Sequence, residues 1–261
     1  MSRPVITLTT DFGQADGYVG AMKGVMLSIC PDAALVDISH EIRPQAVEQA
    51  AYVLSTAIPY YPPGAVHLVV VDPGVGSERR PIAVHTKRAA YVGPDNGVLS
   101  LALGHDPARQ AVRLTGPRYR LPSISATFHG RDIFAPAAAH LACGAPLNEM
   151  GETLAVSDLV ELPTPAPEPQ PGGWQCAILH VDRFGNLITN FRIQPQQRRL
   201  RVNAGGRRID QVSRTFSDVD PGGLLAYEGS SGYLEIAARE ENAAEILSLD
   251  VGDTVQIEGT P

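Results

Sequence analysis

The densest run of functional side chains is Asp72-Pro73-Gly74-Val75-Gly76-Ser77-Glu78-Arg79-Arg80. It sets a carboxylate and two guanidiniums around a tight glycine turn, so Asp72 can pair with Arg79 or Arg80 and be held rigidly. Such a cluster can aim or stabilise a small polar reactant; the structural alternative is an ion pair that only pins a loop. A phosphate cradle does not fit. The run lacks the Lys-Ser/Thr pair of a P-loop and the third glycine of a dinucleotide fingerprint, and Pro81-Ile82-Ala83-Val84 resumes as a strand where a helix N-terminus would be needed. Asp11 and Asp16 lie close together in residues 10–18. Carboxylates there suit a ribose diol or a positive group and repel phosphate, against the alternatives of an Asx turn at Asp11 and helix capping by Asp16. His129 stands just before a predicted helix in Thr127-Phe128-His129-Gly130-Arg131-Asp132, as a proton-exchanging group or as a hydrogen-bonded structural residue. His40, His67, His85 and His140 form no HExxH or HxH pattern with Asp11, Asp16 or Asp37, so no metal site is expected.

Elements must carry these residues to one place. Residues 5–10 (VITLTT) read as a strand ending at Asp11, residues 20–30 as a helix, and residues 34–38 as a second strand. Val47, Ala50, Ala51, Leu54, Ala57 and Ile58 recur at helical spacing until Pro59. Residues 66–71 (VHLVVV) form a continuous apolar strand, suited to burial on both faces of a central sheet, and Asp72 follows directly. Alternating strands and helices predict a mostly parallel α/β core, whose ligands bind at the carboxyl ends of the strands. Residues 82–86 and 90–93 read as further strands, 94–97 as a turn and 131–143 as a helix. Residues 161–173 (ELPTPAPEPQPGG) hold five prolines and no period. The predicted organisation is an α/β domain over 1–163, a Pro-rich linker over 164–173 and a smaller antiparallel β-barrel-like domain over 174–261, built from short strands such as 176–182, 186–191, 232–237 and 254–259. Residues 182–186 and 229–233 are explained as hairpin turns.

At 261 residues with 44% hydrophobic and 19% charged side chains, the chain is globular and can bury a substantial core. Its net charge of −7 disfavours nucleic acid and anionic membranes and favours a small or cationic partner. Residues 198–214 hold six arginines without interleaved aromatics, which fits a solvated strand face. Cys30, Cys143 and Cys176 are odd in number, scattered and without metal-ligand spacing, so a reducing, cytoplasmic setting is expected. The N-terminus enters a strand pattern without a leader, and no segment reaches membrane-spanning length.

Seven segments in order, TTDFGQADGYVGAMKG, VDISHEIRPQAVEQAAYVL, HLVVVDPGVGSERRPIAV, VGPDNGVLS, FHGRDIFAPAAAHLA, VDRFGNLITN and SSGYLEIA, resemble the S-adenosyl-L-methionine (SAM) hydrolases. This family is also called SAM hydroxide adenosyltransferase and is related to the SAM-dependent fluorinase and chlorinase. The resemblance spans nearly the whole chain apart from the linker and the arginine-rich stretch. It implies hydrolysis of SAM to adenosine and L-methionine, without cofactor or metal, in a homotrimer whose site lies at a subunit interface. It also implies a catalytic set of Asp72, Arg79 and His129. Asp11 would hold the ribose hydroxyls; Asp16, Asp182 and Ser230 the methionine part; Phe184, Asn186 and Phe216 the adenine. The halogenases carry neutral residues where this chain has Asp72 and Arg79, and a carboxylate there repels an entering halide. Water is therefore the expected nucleophile at ribose C5′. Arg79 paired with Asp72 would stabilise hydroxide character, and neutral His129 would accept the proton. Halide transfer, metal-dependent hydrolysis and non-catalytic SAM sensing are the alternatives.

Overall fold

The computed structural model describes residues 3–163, 166–194 and 200–259. The chain divides into two compact units, Met1–Leu162 and Pro163–Pro261. In the first, β1 (Val5–Thr10), α1 (Tyr18–Ile29), β2 (Ala34–Ser39), α2 (Val47–Ala57) and β3 (Val66–Val70) alternate as the apolar pattern predicts. β4 (Pro81–His85), β5 (Ala90–Pro94), α3 (Ser100–His105), β6 (Gln110–Leu114), α4 (Ala135–Ala142) and β7 (Gly151–Leu154) complete it. The sheet order is β2-β1-β3-β5-β4-β6-β7, with β2, β1, β3 and β5 mutually parallel. β3 is buried throughout because both faces of the sheet are covered: Leu68 and Val70 pack with Met22, Met26 and Phe134, while Val69 and Val71 pack with Leu54, Ile82 and Tyr91.

The helix predicted over 131–143 differs in its first turn. Residues Gly130–Phe134 form a π-helical turn and the α-helix begins at Ala135. Pro136 has no N–H to give to the Asp132 carbonyl, which accepts instead from Leu121 N at 2.9 Å. The cysteines also depart from expectation. Cys30 and Cys143, at the ends of α1 and α4, form a disulfide with Cα atoms 5.9 Å apart, and only Cys176 is free. Scattered spacing concealed this pair because 113 residues separate its members. The cysteine count therefore no longer argues for a reducing compartment.

The second unit is a curled, barrel-like sheet. Its strands are β8 (Glu168–Gln170), β9 (Gly173–Val181), β10 (Leu187–Arg192), β11 (Arg201–Ala204), β12 (Arg207–Ile209), β13 (Val212–Ser213), β14 (Leu224–Glu228), β15 (Tyr233–Ala238) and β16 (Thr254–Glu258). β8 lies within the segment read as linker: its prolines leave enough donors for antiparallel pairing with β9. Residues 164, 165 and 195–199 fall outside the described residues. Along β9 burial alternates, with Cys176 and Ile178 turned into the core, the pattern of a sheet with one wet face. Among the described residues no helix is long and apolar enough to cross a membrane.

Candidate active site

β1 and β3 are adjacent and parallel, with Thr10 opposite Val70, so Asp11 and Asp72 emerge at the same edge of the sheet. From Asp72 the chain turns back on itself. Val75 N donates to Asp72 O at 3.2 Å, and Ser77 N and Oγ donate to Gly74 O at 3.1 and 2.7 Å. Gly76 is needed here: its φ is +79°, and a Cβ would lie 2.7 Å from the Ala126 carbonyl oxygen. The reversal delivers Arg79 to Asp72. Arg79 Nε donates to Asp72 Oδ1 at 2.8 Å and to Oδ2 at 3.0 Å, and its Nη2 also closes on Oδ2. Both side chains are withdrawn from water, 9% exposed for Arg79 and 6% for Asp72. The guanidinium lies 5.1 Å from the centre of the Phe134 ring.

The same Nη2 stands 2.8 Å from His129 Nδ1. A guanidinium has only donors, so Nδ1 is the acceptor, the imidazole is neutral and its proton resides on Nε2. Partial burial, and next the positive charge of Arg79, hold the His129 pKa below its ordinary value, with Asp72 and Asp132 opposing them. The structure thus brings together the three residues read as catalytic. It alters one role: while this contact stands, His129 offers an N–H donor rather than a base.

Asp72 and His129 line a cavity of about 370 Å³, together with Asp11, Phe12, Tyr18 and Gln45. Phe12, Tyr18 and Phe128 form one wall, with ring centres 5.2 to 5.9 Å apart. Asp11 Oδ2 accepts from Gln45 N at 2.8 Å. Gln45 has φ +67°, a left-handed conformation costly for a side-chain-bearing residue. Neither Gln45 nor the aromatic wall was singled out from sequence, because only the fold carries residue 45 to residue 11. Asp16 is exposed ahead of α1, lines no part of this cavity and does not cap the helix, whose N-cap is Gly17.

In the second unit Phe184, Asn186 and Phe216 line an open cleft of about 600 Å³ with Ala238, Glu241 and Asn242. Phe184 is 76% exposed, a large apolar ring with little of its surface covered. Asp182 and Ser230 are not in its lining. The Asp182 carboxylate holds its own turn: Oδ1 accepts from Phe184 N and Asn186 N, each at 2.9 Å, and Oδ2 from Asn186 Nδ2 at 2.8 Å. Ser230 is exposed in the turn closed by Gly232 N donating to Gly229 O. The described residues contain no group of three or more His, Cys, Asp or Glu able to hold a metal ion.

An α/β unit whose sheet is parallel over β2, β1, β3 and β5 and antiparallel over β4, β6 and β7, with an acid–guanidinium–imidazole cluster at the carboxyl edge of its parallel strands, followed by a barrel-like unit, defines a small-molecule-binding protein of the kind whose site opens at strand ends. Residues 6–151 match the SAM hydroxide adenosyltransferase N-terminal domain and residues 176–256 the SAM hydroxide adenosyltransferase C-terminal domain, so the chain belongs to that family. Over 98% of both chains it is 43% identical to the protein named (R)-S-adenosyl-L-methionine hydrolase from Salinispora arenicola. It is 46% identical to the protein of the same name from Thermus thermophilus, over 98% of this chain and 99% of that one. The crystal structure of a conserved protein from Thermotoga maritima superposes with a TM-score of 0.89 at 36% identity, over 97% of this chain and 99% of that one.

Proposed function

We propose that this protein hydrolyses SAM by displacement at ribose C5′: an oxygen–C5′ bond forms, the C5′–S bond breaks, and adenosine and L-methionine leave. Full-length likeness to proteins named for this hydrolysis supports the reaction class. The observation that carries the residue assignment is the Asp72–Arg79–His129 cluster at the cavity. The sulfonium of SAM is cationic, and a cavity edged by Asp11 and Asp72 attracts it.

The sulfur departs as a neutral thioether and needs no general acid, so the task is to supply and aim an oxygen nucleophile. Asp72 fixes Arg79 in place. With Nδ1 accepting from Arg79, His129 keeps its Nε2–H to donate to the anionic oxygen, and the fixed guanidinium adds positive charge beside the imidazole. Stabilised in this way, hydroxide is drawn from solvent and its proton is left in bulk water. Asp11 holds the ribose diol, while Phe184, Asn186 and Phe216 take the adenine. Asp16, Asp182 and Ser230 contact the methionine part. No resident cofactor or metal enters this scheme.

Incubation with SAM in heavy-oxygen water tests the scheme. Label on adenosine is the expected result; label on methionine, or unconsumed SAM at high enzyme concentration, overturns it. Homotrimeric assembly belongs to the same reading, carried over from the family resemblance, and light scattering should give three times the 27.8 kDa chain mass. A cytoplasmic location belongs to it too, checked by cell fractionation.

A further inference from the structure

The turn that follows β5 grips the chain on both sides of the Asp72–Arg79 pair. Asn96 Nδ2 donates to the Val71 carbonyl at 2.9 Å, and that carbonyl belongs to the peptide leading into Asp72. Its other side-chain atom, Oδ1, accepts from Val98 N at 3.1 Å, so the amide is held from both ends. One residue before it, Asp95 takes hold of the residue after Arg79. Asp95 Oδ2 accepts from Arg80 Nε at 2.7 Å, and Asp95 N donates to Arg80 O at 2.9 Å. Its Oδ1 accepts from Val160 N at 2.9 Å, and the side chain is only 2% exposed. A buried carboxylate with fixed donors on each oxygen is a rigid anchor.

We propose that Asn96 and Asp95 are positioning residues for hydrolysis: by clamping Val71 and Arg80 they hold Asp72 and Arg79 in register with His129. This rests on the assignment of those three residues to the chemistry. Between the two anchors the loop contains Gly74 and Gly76, which add no side-chain restraint of their own. A loose end at Val71 or Arg80 is therefore transmitted to a side chain one residue away. Displacement of about 1 Å at a reacting group costs on the order of a hundredfold in rate.

Asn96→Asp is the informative variant, since it keeps the acceptor facing Val98 N and turns the donor to Val71 into a charged acceptor that the carbonyl repels. Asp95→Asn weakens the opposite end, and Arg80→Gln does so from the more exposed partner should Asp95→Asn not fold. Each should lower kcat by about 10- to 100-fold with KM changed by less than about threefold. The acid limb of kcat should also move upward, because a displaced Arg79 no longer suppresses protonation of His129. Wild-type kcat and an unmoved acid limb in all three, alongside an inactive Asp72→Asn, overturn the clamp. So does a loss of activity that follows the fraction of folded protein with the acid limb unmoved, which marks stability alone. Full activity in Asp72→Asn sinks the catalytic assignment instead, and the clamp with it.

Discussion

Arg79 divides its donors between Asp72 and His129, and that division governs what each neighbour can do. The carboxylate supplies the negative charge that keeps a nearly buried guanidinium in place, while the imidazole must stay neutral to accept from it. Protonating His129 would set a cation against Arg79 and break the contact. Activity is therefore expected to be lost on the acid side, at a pH below the ordinary histidine value of 6.5, because burial and Arg79 depress the His129 pKa. A pH–rate profile checks this; an acid limb above 6.5 contradicts it. Asp72→Asn keeps the shape and removes the charge, and it should lower kcat by about 10²- to 10⁴-fold with the fold intact. The pairing of Asp72 with a loop arginine, Arg79 or Arg80, was legible from residue types and their spacing around the glycine turn. Which arginine was decided by the turn: Arg79 faces inward, whereas Arg80 is drawn off to Asp95.

Strands set where the chemistry stands, and helices keep the strands dry. β3 was readable because a sheet covered on both faces demands an unbroken apolar run. β6 (QAVRL) and β7 (GETL) were not, since short strands of mixed polarity are assembled by neighbours rather than by their own pattern. Within β3, His67 is 2% exposed and its Nδ1 meets Thr7 Oγ1 at 2.8 Å. Burial lowers its pKa to about 4 from 6.5. The unfolded chain thus binds a proton that the folded chain refuses, so the contribution of this residue is complete above pH 6.5 and is lost as pH falls towards about 4. The expected loss over that window is about 3 kcal/mol. Urea unfolding at a series of pH values measures it, and His67→Asn should flatten the dependence. An equally steep dependence in the variant assigns the effect to other groups.

For the whole molecule, the disulfide joins two helices remote in sequence: α1, whose first residue Tyr18 lines the cavity, and α4, which follows the π-helical turn after His129. Closing a loop of that length removes about 4–5 kcal/mol of unfolded-chain entropy by the chain-entropy account. Unfolding without reductant should expose one reactive thiol, Cys176, and unfolding with reductant three. The folded protein should react slowly, since burial pushes the Cys176 thiol up to about 12. Reduction should lower Tm by several degrees. Three thiols without reductant would show that the isolated protein holds Cys30 and Cys143 reduced. The ligand-directed residues fall into two groups, one in each compact unit.

Local order along the chain was enough for the alternation of strand and helix, for the shift to short antiparallel strands after the prolines, and for the acid–arginine loop placed at a strand end. These follow from periodicity, glycine and proline chemistry, and residue type, all of which act over a few residues. Tertiary structure decided what depends on contacts between distant residues. Asp182 was drawn into its own turn, Asp16 was left outside the cavity, and Gln45 was carried to Asp11. Cys30 was joined to Cys143, and the Arg79 donor to Nδ1 selected the tautomer of His129. Each is set by which backbones become neighbours when the sheet closes, and spacing along one chain does not contain that information.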